Sequence, residues 1–255
     1  MVLNTLLGRK IGKRADEAGF NWIFVIIAGA AILLFFFMIV TKQQALTLAR
    51  TDAQIVRSLE TLFATASVEK STVSTKELPG IDVAFQCRKR GTSCECSYRS
   101  GTLSRDASNL IVFSPGDLKG DKLFVWSLAW EVPFRVANYL FVSSPQHGVL
   151  VVKDGNEALF GDLKALIPER FGVQYVDTTD STAVTTASQG LESFTLVCLS
   201  GSQGCTGAFS SIAYPQKKLV SVKPTEKTVS VTTKASQTPS SFSYLTSSQV
   251  IGAIF

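Results

Sequence analysis

Between Phe20 and Val40 no side chain carries a charge, and the only clearly polar one is Asn21, beside Trp22 at the edge. As a helix this run measures about 31 Å at 1.5 Å per residue, enough to cross a hydrocarbon core of about 30 Å. A chain that crosses a bilayer once must fold everything after the crossing on one side of it. A secretory signal has a shorter apolar core, about 7 to 15 residues, and small residues at its cut. Here the run ends in Ile39-Val40-Thr41-Lys42-Gln43, and the first A-x-A-like match, Ala28-Gly29-Ala30, sits inside the apolar stretch. The run therefore reads as a signal-anchor that stays, not a signal that is removed. A buried core helix seldom needs apolar residues on every side.

The flanks give an orientation. Arg9, Lys10, Lys13 and Arg14 precede the run, offset in part by Asp16 and Glu17, whereas Lys42, Arg50 and Arg57 are spread out behind it. Acidic residues count for little in the positive-inside rule, so the denser basic cluster is expected in the cytoplasm. Residues 1–19 then read as a cytoplasmic tail, 20–41 as the transmembrane helix, 42–78 as a juxtamembrane helix and linker, and 79–255 as an extracytoplasmic domain. The net charge of +5 comes from scattered residues and does not point to nucleic acid.

All five cysteines fall on the expected outer side. AFQCRKRGTSCECSY and TLVCLSGSQGCTGAF both run from one apolar stretch through a Gly-containing turn to another, the pattern of a hairpin. Short loops bring cysteines into bridging range, so the expected disulfides are Cys87 with Cys94 or Cys96, and Cys198 with Cys205. Pairing between the two groups stays open, because sequence does not fix connectivity. A zinc site is a weaker reading, since the spacing is C-x6-C-x-C and the chain has a single histidine. The odd fifth thiol is free, pairs with another chain, or has its partner outside this sequence. SSQVIGAIF, an apolar run that begins behind a Ser/Thr-rich stretch, fits either a last buried strand or a fragment whose continuation supplies a sixth cysteine.

No Gly or Pro follows the run until Pro79, and Ala45, Leu48, Ile55, Leu59, Leu62 and Ala66 recur at spacings of three, four or seven, with Asp52 interrupting the stripe. Run and stripe can form one helix, and the stripe is expected to pack on the protein's own domain; a second copy or another protein is the alternative partner, beside the lipid bilayer itself. Val68 to Lys76 reads as a hinge, with Leu78-Pro79-Gly80 opening the domain. Within it, LIVFS from Leu110 and KLFVWSLAWEV from Lys122 read as strands, although Trp126 and Trp130 would also suit a helix face. VLVV at 149–152, EALFGDLKALI from Glu157 and GVQYV ending at Val176 make a βαβ unit, which implies parallel strands. TTDSTAVTTASQG reads as a surface loop, and KLVSVK with TVSVTT as alternating strands carrying Val220, Val222, Val229 and Val231. The fold class expected is α+β: a mixed domain with one βαβ unit and antiparallel hairpins, behind a transmembrane helix and an amphipathic helix.

Catalytic signatures are sparse. His147, in Ser143-Ser144-Pro145-Gln146-His147-Gly148, reads as an exposed loop histidine, with no G-x-S-x-G elbow near it. Neither G-x-G-x-x-G nor G-x-x-x-x-G-K-[ST] occurs, so no phosphate-bearing cofactor is indicated. Asp154, Asp162, Asp177 and Asp180 lie near the βαβ unit, where carboxylates at strand ends can hold a metal, although turn and capping roles explain them more simply. Arg88-Lys89-Arg90 reads as a charged hairpin tip more readily than as a grip on an anionic polymer.

GFNWIFVIIAGAAILLFFFMIV, the amphipathic helix behind it and the cysteine-containing domain resemble uncharacterised single-pass membrane proteins of archaea, in layout and in the wording of the anchor over the first sixty residues. That resemblance implies no activity. The chain is more loosely similar to type IV pilin-like proteins, which have a basic leader, a long apolar helix and a β-rich head with disulfides. In those a peptidase cuts after a small residue behind the basic cluster, here Lys13-Arg14-Ala15; Asp16 and Glu17 follow at once, a departure from that pattern. The sequence is thus expected to encode a cell-envelope protein with a non-catalytic binding or scaffolding domain and no cofactor. An appendage subunit, or an enzyme whose site is assembled from distant residues, is the alternative.

Overall fold

Helix α1 (Lys13–Val68) is a single stretch of 56 residues, as the lack of proline across it allows. The computed structural model describes residues 13–69, 71–91, 93–131, 133–153, 155–177, 181–199, 203–212, 216–233 and 238–255. The chain divides into two compact units, Met1–Arg50 and Thr51–Phe255. The first holds the one described helix long and apolar enough to cross a membrane, with a mean hydropathy of 3.1 and none of that window buried. Arg9 and Lys10, on which the expected orientation partly rests, lie outside the described residues.

The second unit begins on residues 51–68 of α1, where the stripe of the sequence is put to use. Ile55, Val56, Leu59, Phe63 and Ala66 share a face at helical spacing and pack against Val83, Tyr98, Leu118, Leu123, Val125 and Leu140. This part of the stripe is therefore covered by the protein's own sheet. Leu48 is exposed, and the side chain of Ala45 is outside those described. Asp52 does not break the packing, because it accepts a hydrogen bond from Ser100 Oγ at 3.0 Å. Gly101, with φ at +54°, leaves room for that carboxylate.

The sheet under this helix contains β1 (Val73–Arg90), β2 (Ser93–Ser100), β3 (Leu103–Asp106), β4 (Ile111–Phe113), β5 (Asp117–Glu131) and β6 (Arg135–Ser143), in the order β3-β2-β1-β5-β6-β4. All neighbours are antiparallel except β4 and β6. Pro79 has no N–H to donate, and the ladder between β1 and β5 shifts there, between Glu77 and Ile81, with Gly80 at a φ of +64°. Leu78-Pro79-Gly80 is thus a bulge inside a strand, and does not open the domain.

The expected hinge over Val68 to Lys76 is also replaced by order. Asn138 on β6 donates from Nδ2 to the carbonyls of Ala66 (2.8 Å), Ser67 (3.1 Å) and Glu69 (2.6 Å), and Arg135 donates to those of Ser67 and Val68. These contacts satisfy carbonyls that the end of α1 leaves without helical partners. Ser127 accepts from Thr72 N and donates to Glu69 O, which carries the chain directly into β1.

The other sheet contains β7 (His147–Val152), β8 (Val173–Val176), β9 (Ser193–Cys198), β10 (Gln216–Lys223), β11 (Thr228–Thr233) and β12 (Ser240–Ser243), in the order β12-β11-β10-β9-β7-β8. Strands β8, β7, β9 and β10 are parallel; β11 and β12 add antiparallel hairpins. Parallel neighbours need crossovers, supplied by α2 (Glu157–Leu166), α3 (Ser181–Ser188) and α4 (Gln203–Ser211). The expected βαβ unit is β7-α2-β8, and the mixed α+β class holds. Three expectations fail. The supposed surface loop contains α3, whose Val184 is buried; the second cysteine hairpin is a strand followed by α4; and SSQVIGAIF is a helix, α5 (Ser247–Ile254), not a strand.

Helices α2 and α5 lie between the sheets. Leu159 and Leu163 of α2 and Val250, Ile251 and Ile254 of α5 share one core with Trp126, Tyr139 and Phe141 of the antiparallel sheet and Val149, Val151, Val197, Val220 and Val222 of the parallel one. Trp126 and Trp130 are both on β5, on the face turned to this core. Helices α3 and α4 cover the outer face of the parallel sheet over Leu150, Phe194, Leu196 and Leu219.

Candidate functional site

Cys87 and Cys96 face each other across the β1–β2 ladder and pair at disulfide distance. Cys198, the last residue of β9, pairs with Cys205 in α4. Cys94 lies opposite Lys89 in the same ladder as Cys87, and its side chain is outside those described. Among the described residues no group of three or more His, Cys, Asp or Glu is placed to hold a metal.

The carboxylates near the βαβ unit do not converge. Asp162 accepts a hydrogen bond from Ser247 Oγ at 3.1 Å, joining α2 to α5. Asp177 shares the Lys153 ammonium with Glu157. Asp154 and Asp180 lie outside the described residues. At the hairpin tip Arg88 is exposed, while the side chains of Lys89 and Arg90 are outside those described.

In open α/β sheets ligands bind beyond the carboxyl ends of the strands, where strand order reverses. Here that edge holds a cleft of about 640 Å³ lined by Asn156, Glu157, Leu199, Lys223 and Glu226, among others. Its charges are already engaged: Lys223 pairs with Glu226 at 3.4 Å, and Lys153 is held as above. Asn156 caps α2 by accepting from Leu159 N at 3.1 Å. Among the described residues, the charged side chains lining this cleft are all paired.

The opposite end of the parallel sheet is different. His147 opens β7, and its Nδ1 is 2.7 Å from Ser193 Oγ on β9; its Nε2 is 3.4 Å from Thr195 Oγ1. At 6% exposure it is buried, which overturns the expected exposed loop histidine. The cause is the start of β7 at His147 itself, which brings the ring under Phe255 at 6.4 Å. Burial, with the charge of Lys218 added, holds its pKa down to about 3. A base so weak takes up no proton near neutral pH, so this Ser–His pair holds strands together and is poorly suited to activate a nucleophile.

Beside it on β10, Lys218 is opposite Thr195 in register. It shares the inward face of its strand with Val220 and Val222, two residues apart along the chain. Burial lowers its pKa from 10.5 to about 8. Two clefts meet at this residue. One of about 410 Å³ is lined by Tyr139, Val231 and Phe242; one of about 230 Å³ by Phe85, Val112 and the paired Cys87 and Cys96; and Phe113, Lys218 and Gly252 border both.

No family model, curated protein or solved structure matches the chain. The site must be read from its own chemistry. Sequence reading missed Lys218, yet a signal was there: in Lys218-Leu219-Val220-Ser221-Val222 the lysine is in phase with the two buried valines, so strand alternation turns it inward.

Proposed function

We propose that the protein is a membrane-anchored cell-envelope protein whose extracytoplasmic α+β domain has a non-catalytic binding role. The observation that carries this reading is helix α1, in which an apolar segment with no buried surface continues into a stretch that serves as the base of a sheet-built domain. A tether built into the core of the domain suits a protein that must hold a binding surface at a membrane. Orientation rests on the basic residues before the apolar segment, and the two cysteine pairs suit an oxidising compartment. Protease added to intact cells is expected to remove the domain and leave a small membrane stub. Protection of residues beyond Thr41 until the cells are lysed would overturn the orientation.

A pilin-like appendage subunit is the second reading, favoured by the same helix running into a β-rich, disulfide-paired head. Intact-mass measurement separates the two. The anchored reading expects a chain that starts at Met1 or Val2, and a chain starting at Asp16 would make the appendage reading the better one.

A further inference from the structure

Adjacent lysines on β10 meet opposite fates. Lys217 donates its ammonium to the carbonyls of Phe209 (2.9 Å) and Ile212 (2.6 Å) around the end of α4. Lys218, on the other face, has no ion pair or hydrogen bond among the described residues, and only burial acts on its pKa. Of the described side chains bordering the two clefts, it alone carries a charge at neutral pH. A half-buried ammonium with no side-chain counter-charge among the described residues of its lining is less stable than one in water, and an incoming anion offsets that cost.

We propose that the double cleft at Lys218 binds a small amphipathic carboxylate, with its anionic group on the lysine ammonium and its apolar body among Phe113, Tyr139 and Phe242. The ligand class follows from charge and shape. One cation matches one negative charge, whereas a phosphate dianion would keep an uncompensated charge against apolar walls. A cation would face Lys218 with no carboxylate side chain among the described lining residues. The larger cleft is within the usual range for small-molecule sites, about 300 to 1,000 Å³. Its aromatic wall is already fixed: Phe113 meets Tyr139 edge-on at 5.6 Å and stacks on Phe141 at 5.3 Å. Gly252 keeps the neck between the clefts open, since a Cβ there would come within 2.9 Å of the Phe113 ring.

This deepens the binding role proposed above and rests on it, while the protease experiment reports only on topology, so the two fail independently. The test uses the full chain in lipid nanodiscs, with empty nanodiscs subtracted, and titrates octanoate, 2-naphthoate, neutral 2-naphthylmethanol and cationic 2-naphthylmethylammonium by saturation-transfer NMR. The carboxylates are expected to bind, and the alcohol roughly tenfold more weakly or worse, as loss of one partly desolvated charge contact implies. The cation is expected to be weaker again. Lys218→Met should abolish the preference for 2-naphthoate over the alcohol while keeping alcohol binding, Lys218→Arg should retain the preference, and Gly252→Val should weaken all probes. Lys218→Met removes an unpaired ammonium, so its melting temperature should not fall. Absence of saturable carboxylate binding at millimolar concentration, equal binding of acid and alcohol to the wild type, or a preference that survives Lys218→Met would each overturn the proposal.

Discussion

The two sheets bury polar side chains for different ends. In the antiparallel sheet, Ser127 and Asn138 are buried and bond mostly to backbone, with Thr72 Oγ1 and Arg135 Nε as their side-chain partners: they close the end of α1 and lead toward β1. In the parallel sheet, His147, Ser193 and Thr195 bond to one another, and Lys218 next to them has no partner among the described residues. Ser127 and Asn138 are thus fully engaged, although Ser143 Oγ on β6 of the same sheet is buried without a partner among the described residues. The second arrangement leaves the Lys218 ammonium without an ion pair among the described residues, beside a cleft.

The strongest way to break this comparison is to ask whether the sheets are one folding unit at all. Phe63 seals the helix-covered face of the antiparallel sheet and Leu163 seals α2 against the parallel one, and both are fully buried. Trp126, Tyr139 and Phe141 nevertheless link the two sheets through α2 and α5. Phe63→Ala should therefore cost about 3 to 5 kcal/mol and Leu163→Ala about 2 to 5 kcal/mol. For a domain of this size that lowers the melting temperature by on the order of 10 °C. Circular dichroism of the full chain should show each variant shifting a single transition. A Phe63→Ala variant that melts in two steps would mean the sheets unfold separately, and the comparison would then be one between two domains.

What was legible in the sequence divides within each sheet. In the antiparallel sheet the hairpin around Cys87 and Cys96 and the stripe from Ile55 to Ala66 are local, and could be read from the chain, whereas the pairing of β1 with β5 could not. In the parallel sheet β7-α2-β8 was likewise readable, but β7 also pairs with β9, beyond β8 in the chain, and α3 and α4 have weak local signatures. Helix α3 is Ser181-Thr-Ala-Val-Thr-Thr-Ala-Ser188, poor in strong helix formers, and forms because Val184 is buried against the sheet. Helix α4 is rich in Gly and Ser and is tied back through Cys205, so its turn-like composition read as a hairpin. His147 looked like a loop residue because Pro145 and Gly148 flank it, and only the register of β7 with β9 brings Ser193 to its ring.

That ring allows a second test, of intermediate size. Folded His147 has its pKa held to about 3, against 6.5 for the free side chain. Between those values the unfolded chain binds a proton that the folded one does not. The stabilising difference is therefore complete above about pH 6.5 and is lost as pH falls toward 3, at about 1.4 kcal/mol per pH unit. Carboxylates also titrate in this window, so the informative quantity is a difference in slope. Denaturant unfolding of the wild type between pH 6.5 and 4.5 should lose stability faster than His147→Gln does. Parallel slopes would show that the seam admits a proton and is less sealed than its burial implies.

The smallest expected effect sharpens the comparison at the antiparallel sheet. On paper Asp52 is a flaw, a charge in an apolar stripe, and Asp52→Leu repairs the pattern. In the structure the carboxylate accepts from Ser100 Oγ at 3.0 Å, and Ser100 is 1% exposed. Leucine would leave that hydroxyl buried without its acceptor and press a branched side chain toward Gly101, which has no Cβ and lies against the carboxylate. The hydrophobic gain is offset by an unmet donor, whose desolvation costs about 1 to 3 kcal/mol, so a net loss of about 1 kcal/mol is expected. Asp52→Asn keeps a carbonyl acceptor of nearly the same shape and should recover most of that loss. If Asp52→Leu instead raises the melting temperature, the polar contact is dispensable and Ser100 would join Ser143, whose buried hydroxyl on β6 has no partner among the described residues, as a tolerated unpaired group of the antiparallel sheet.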